Sequence, residues 1–299
     1  MKKQTKANLA LLFATFIWGS TFVPVQNAIG TMPPLTFNAL RFLIGFLALA
    51  IIYRNHLKGI GKQTIIFGST IGLALFLGYA FQTLGLKYTK ASNSAFITSL
   101  SVVFVPIMWS IKTKKLPPLK ILMSIALATI GLALVTLDSN LGINKGDMLT
   151  LLCAVCFALS IILIDSFIDK EDPTLLVIVE IGIVSILSFI LSIFTGDLGS
   201  LIVQITHEVI FALFITGLFA TALAILIQNK AQRLTSPTHA ALIFSAEPVF
   251  AALTSFILLG ERMSFKNLVG GVLILMAVII SEVDPHKLKG SIFALTGDR

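Results

Sequence analysis

Runs of some twenty apolar residues, recurring ten times between short loops, leave this chain few ways to fold. A helix needs about 20 mainly apolar residues to cross a hydrocarbon core of about 30 Å, and in lipid every backbone amide must find its partner inside the chain. The runs place helices near 8–28, 34–53, 64–86, 91–111, 119–137, 147–168, 173–194, 208–229, 237–259 and 266–283. Turn residues mark the joins: Gly30 to Pro34, Pro117-Pro118, Asp138 to Gly146, Asp172-Pro173 and Gly260 to Ser264. The expected fold class is an all-α integral membrane protein with ten transmembrane helices. Charged residues are only 12% of 299 against 56% hydrophobic, where a soluble domain carries about 25% charge. Such a chain cannot keep a water-facing surface, so lipid is its solvent.

The basic residues set the orientation. With the N-terminus in the cytoplasm, sixteen of the 22 Lys and Arg fall in cytoplasmic segments and five in external ones, Arg41 lying within a helix. Both termini are therefore expected inside, in a multi-pass protein of the cell membrane. The net charge of +8 follows from those loops, so no nucleic-acid partner is called for. Met1-Lys2-Lys3 ahead of Leu9 to Val23 imitates a signal peptide, but the apolar stretch is long for one and reads as a retained first helix. Cys153 and Cys156 share one face of an apolar helix and read as small packing residues; no metal site or disulfide framework is expected.

The chain also repeats itself. Gln82 to Leu137 aligns without gaps to Gln228 to Val283 at an offset of 146, with eleven of 56 positions identical, among them Thr89/Thr235, Ala95/Ala241, Ser99/Ser245 and Phe104/Phe250. Upstream, Lys6 to Leu12 matches Lys145 to Leu151, and Pro34 matches Pro173, at an offset of 139. Five helices per copy is an odd number, so the second copy enters the membrane inverted. Inverted repeats are a common plan of secondary transporters, with the substrate site near the midplane between the halves. The expected division is residues 1–140 for the first repeat, 141–285 for the second, and a cytoplasmic tail at 286–299.

Trp18-Gly19-Ser20 with Phe22 and Pro24, Pro34 followed by Arg41-Phe42, Ala240-Ala241-Leu242, Glu247-Pro248-Val249-Phe250-Ala251-Ala252 and Leu259-Gly260-Glu261-Arg262 give the chain its family character. In these pieces it resembles the EamA-type members of the drug/metabolite transporter superfamily, over roughly residues 8–283. The resemblance implies a ten-helix inverted-repeat fold and transport, often export, of metabolites such as amino acids. The first copy departs from the pattern: Lys114-Lys115 replaces Gly-Glu, Ser101-Val102 stands opposite Glu247-Pro248, and Phe157 replaces a tryptophan.

Ionisable residues inside membrane helices cost at least about 2.5 kcal/mol on insertion scales and are functional candidates by default. Arg41, Glu180 and Glu247 stand out. Glu247 is placed to bind a proton or a substrate amine; equally, it could satisfy a carbonyl freed by Pro248. Arg41 and Glu180 are repeat-equivalent, and inversion sends them to opposite sides. Each either snorkels to its interface or lines its half of a pathway, with Arg41 attracting a carboxylate. Trp18 forms a cavity wall or anchors the Gly19-Ser20 step. Tyr79, Gln82, Ser99, Ser245 and His239 complete the candidates, with Asn93, Thr98 and Gln228 as further polarity, although small hydroxyls in membrane helices often bond their own backbone. Pro24, Pro106 and Pro248 are the expected helix breaks, and Gly68 and Gly72 form a contact motif, either internal or dimeric.

The expected function is therefore a secondary transporter with a small-molecule substrate, bilayer-embedded and without a cofactor, with proton coupling and a homodimer as open expectations. A phosphate-binding loop for an ATP-driven pump is missing from the sequence. The scattered His56, His207, His239 and His286 suggest no enzyme. A channel or a non-transporting scaffold is the alternative class.

Overall fold

The computed structural model describes residues 3–136, 144–197, 205–259 and 265–282, and every regular element within them is helical. The predicted tail, the Gly260-Glu261-Arg262 motif and most of the loop from Asp138 lie outside the described residues. Ten segments stand where ten spans were expected. The first three are α1 (Lys3–Ile29), α2 (Pro34–Ile52) and α3 (Lys62–Leu86). The fourth is α4 (Ala91–Ser99) with α5 (Ser101–Thr113), and the fifth is α6 (Leu119–Thr136). The sixth and seventh are α7 (Lys145–Phe167) and α8 (Pro173–Phe194). The eighth joins α9 (His207–Ile215), a π-helical segment (Thr216–Leu223) and α10 (Ala224–Gln232). The ninth is α11 (Pro237–Phe244) with α12 (Glu247–Leu259), and the tenth is α13 (Phe265–Glu282).

Among the described residues, seven of these segments are long and apolar enough to cross a membrane: the first four and the sixth to eighth. The fifth and tenth are shorter apolar helices, and the ninth is divided. Multi-pass membrane embedding follows. Large exposed side chains such as Ile51, Ile111 and Phe194 belong in hydrocarbon.

Helix breaks were expected at Pro106 and Pro248 in the fourth and ninth spans; both spans are divided, but ahead of those prolines. The breaks fall at Leu100 and at Ser245–Ala246, which correspond under the 146-residue offset. The turns are tightened by three-residue bonds, Leu100 N–H to Ile97 C=O and Ala246 N–H to Ile243 C=O. Ser99 and Ser245 donate to the carbonyls of Ala95 and Leu242 at the same places. Pro248 is the second residue of α12, where a missing amide hydrogen is tolerated, so it begins a helix instead of bending one. Neither Pro24 nor Pro106 breaks its helix: α1 and α5 run through them.

Packing places α1 against α9 to α12, α3 against α7 and α8, and α2 against α8 and the π segment, while α6 and α13 pair with each other. Gly68 and Gly72 seat α3 on α8: a Cβ on Gly72 would stand 2.8 Å from the Glu180 carbonyl oxygen. That glycine pair is thus consumed within the molecule, and the motif gives no dimer contact.

Candidate functional site

A cavity lies partway along the bundle, where the broken spans meet the long ones. From α1 to α3 it is lined by Trp18, Thr21, Phe22, Val25, Arg41, Leu75, Tyr79, Gln82 and Leu86. Thr98, Ser101, Phe157, Ser160, Ile161, Gln228, Phe244 and Glu247 complete the wall. The volume open to the centre of a water molecule is about 70 Å³. That holds several waters or the polar head of a small solute.

Trp18 reaches the wall because the eighth span unwinds beside it. In the π segment the Ala224 amide bonds back to Phe219, five residues away, and the Ala220 carbonyl accepts the Trp18 indole N–H at 2.8 Å. The ring also meets Phe244 edge-on. Gly19 lets the break of the ninth span approach, since a Cβ there would stand 2.6 Å from the Glu247 carbonyl oxygen. Ser20 accepts a bond from Thr254 of α12. The Trp-Gly-Ser step therefore combines a wall residue with a close contact. Trp18→Phe should leave the Ala220 carbonyl unpaired, costing about 1–3 kcal/mol. Thermal unfolding in detergent should show the loss, and an unchanged midpoint would refute this role.

Arg41 is 3% exposed. Its Nε donates to Thr221 Oγ1 at 3.3 Å, in the π segment, and its guanidinium lies 4.8 Å from the centre of the Tyr79 ring. Burial overturns the snorkelling reading for Arg41. Tyr79 is held from behind: Asn38 Nδ2 donates to its carbonyl and to Thr83 Oγ1, tying α2 to α3. Gln82 donates to Thr98 Oγ1. Glu247, 9% exposed, lines the cavity at the start of α12, and no described group hydrogen-bonds its carboxyl. The expected bond to a carbonyl freed by Pro248 is absent, because the chain has already turned at Ser245–Ala246.

Trp18, Arg41, Tyr79, Gln82 and Glu247 thus share one cavity; four other candidates lie elsewhere. Glu180 is fully buried between α8 and α10, accepting from Asn229 Nδ2 at 3.2 Å, so it neither snorkels nor lines the wall. The hydroxyls of Ser99 and Ser245 are spent on their own helix ends. His239 stands at a separate polar pocket near Asp169 and Arg233, with Ser236 Oγ at 3.0 Å from Nδ1 and the Ser281 carbonyl near Nε2.

Polar bridges stand toward the two ends of the cavity, the first built partly from the lining residues Gln228 and Ile161. On one side Gln228 Nε2 donates to Gln232 Oε1 and Gln232 Nε2 to the Ile161 carbonyl, joining α10 to α7. On the other, Thr89 Oγ1 donates to the Asp147 carboxylate at 2.6 Å, and Gln26 Nε2 to the Thr89 carbonyl. Thr21 and Ser160 were not anticipated from sequence. The available signal was spacing: each lies three residues, about one helical turn, beyond Trp18 or its repeat partner Phe157.

Comparison with known proteins identifies the group. The sequence profile of the EamA-like transporter family matches residues 5–137 and again 144–282. This chain belongs to the EamA-like transporter family. An uncharacterized transporter of Archaeoglobus fulgidus is 38% identical over 278 residues, covering 93% of this chain and 86% of its own length. The uncharacterized transporter YyaM of Bacillus subtilis is 26% identical, covering 94% of both chains. One solved crystal structure superposes with a TM-score of 0.76 at 16% identity, over 95% of this chain and 99% of its own. At that identity the likeness speaks for the fold alone. Membership makes the chain a transporter rather than a scaffold.

Proposed function

We propose that this EamA-family chain is a secondary transporter that exports a small metabolite, such as an amino acid, by alternating access around the cavity. In this reading residues 1–140 and 141–285 are inverted halves, both termini face the cytoplasm, and the cell membrane holds the protein. The observation that carries it is the make-up of the wall. Twelve of the seventeen lining residues form six pairs related by the repeat offsets: Trp18/Phe157, Thr21/Ser160, Phe22/Ile161, Gln82/Gln228, Thr98/Phe244 and Ser101/Glu247. Corresponding faces of two copies therefore meet at one place. Two pseudo-symmetric halves can rock between inward-open and outward-open states of similar energy, breaking the Gln228–Gln232–Ile161 bridge in one and the Thr89–Asp147 bridge in the other.

The two charged lining residues give the site its polarity: Arg41 stands outside the six pairs, and Glu247 has the uncharged Ser101 as its repeat partner. Arg41 offers donors suited to a carboxylate, and Glu247 an acceptor for an amine or a proton, between the aromatic faces of Trp18, Tyr79, Phe157 and Phe244. An amphipathic zwitterion fits that arrangement. The test is efflux of a metabolite panel from proteoliposomes, with and without an imposed pH gradient. Saturable flux that a gradient drives uphill is expected; unsaturable electrodiffusive flux would mark a channel instead. With a transported solute in hand, Arg41→Glu should weaken its apparent affinity at least about tenfold, equivalent to about 1.4 kcal/mol. Unchanged affinity would remove Arg41 from the pathway.

A further inference from the structure

Glu180 lies outside the cavity, and the transport cycle described above does not use it. We propose that Glu180 and Asn229 form a proton-binding site in the seam between the seventh and eighth spans. Both residues are 0% exposed. The Asn229 amide gives one hydrogen to Glu180 Oε2 and the other to the Ile225 carbonyl, each at 3.2 Å. The Ile225 oxygen can only accept, which fixes the orientation of the amide group. Two oxygens remain, Glu180 Oε1 and Asn229 Oδ1, and neither has a partner among the described residues. A proton on Oε1, donated to Oδ1, supplies the one missing atom and closes a two-point acid–amide pair. A metal ion is poorly served here, because two oxygens fall well short of the six or more that a hard divalent cation such as calcium collects.

Among the described residues, no counter-charge is bonded to Glu180. Packed against α8, helix α3 presents Tyr79 and α2 presents Arg41, whose Nε is directed to Thr221. Lys230 of α10 is exposed and lies over the Tyr53 ring instead. Without the proton, a carboxylate oxygen is left in the seam with an amide oxygen and no hydrogen to share, which favours separation of α8 from α10. Helix α10 continues directly from the π segment that holds Trp18 and Arg41. Occupancy of the seam therefore reaches the cavity wall, a consequence that rests on the transporter reading, whereas the proton site itself does not.

The experiment is infrared difference spectroscopy of the purified protein in lipid nanodiscs during a pH titration, following the carbonyl stretch of protonated carboxyl groups. No substrate is needed, so the result is independent of whether transport is found. A protonated-carboxyl band is expected in the wild type and in Glu247→Gln, and its loss in Glu180→Gln. That substitution keeps a two-point pair with Asn229 and should leave the fold intact, which gel filtration checks. Asn229→Leu should shift the same band to higher frequency by removing its hydrogen bonds. Identical bands in the wild type and Glu180→Gln would overturn the proposal. So would loss of the band on adding sodium at constant pH, which would put a metal ion in the seam.

Discussion

Glu247→Gln should fold normally and transport at least about tenfold more slowly than the wild type, a rise of about 1.4 kcal/mol in the rate-limiting barrier. The carboxyl lines the cavity and makes no hydrogen bond within the described residues, so the amide forfeits no internal contact. Stability should then change by less than about 1 kcal/mol, as for substitutions away from packed or bonded features. Glutamine keeps the size and an acceptor oxygen but can neither release a proton nor carry a negative charge. Ser101 gives the contrast. It stands at the equivalent position of the first copy and lines the same cavity without a charge. Ser101→Ala should leave the rate within about twofold, a change worth less than about 0.5 kcal/mol. Proteoliposome flux and detergent melting curves measure both variants. Wild-type flux in Glu247→Gln would remove this carboxyl from the mechanism.

The contrast between those two residues also shows what the sequence reveals. The ten segments were legible because apolar runs bounded by Pro and Gly have few other solutions in lipid, and Pro34, Pro173 and Pro237 do begin α2, α8 and α11. Arg41 and Glu247 were legible because a charge in such a run is costly enough to need a reason. The breaks were not. Leu100 and Ser245–Ala246 are not themselves glycine or proline, so nothing in their composition marks the turns. Pro248 drew attention to the ninth span, yet it begins α12 instead of kinking a longer helix. The π segment Thr216–Leu223 has no composition that sets it apart from an ordinary membrane helix. Glu180 shows a further limit: a carboxyl within an apolar run needs a reason, but the run does not distinguish a cavity wall from a seam between two helices. Pairing the candidates through the repeat offsets would have reached Ser101, Phe157 and Gln228 as lining residues without coordinates.

The close approach of α1 to the start of α12 is the place to break the site mechanically. Gly19→Val should lower stability by about 1–3 kcal/mol and abolish transport. A Cβ at this position would stand 2.6 Å from the Glu247 carbonyl oxygen, 2.8 Å from Phe250 Cβ and 3.0 Å from the Ala251 nitrogen. Two of these are backbone atoms at the start of α12, which no rotamer change moves aside. The helix must shift bodily, and because Glu247 is its first residue, the carboxyl leaves the cavity with it. Trp18 sits on the neighbouring residue, so its bond to Ala220 is disturbed by the same displacement. Gly271→Ala is the matched control: a Cβ there meets only Val249 methyls at 3.5 and 3.8 Å, an ordinary contact. That variant should melt and transport like the wild type. A Gly19→Val protein with wild-type melting and flux would show that the approach of α1 to the α11–α12 break is not needed to hold Glu247 in place.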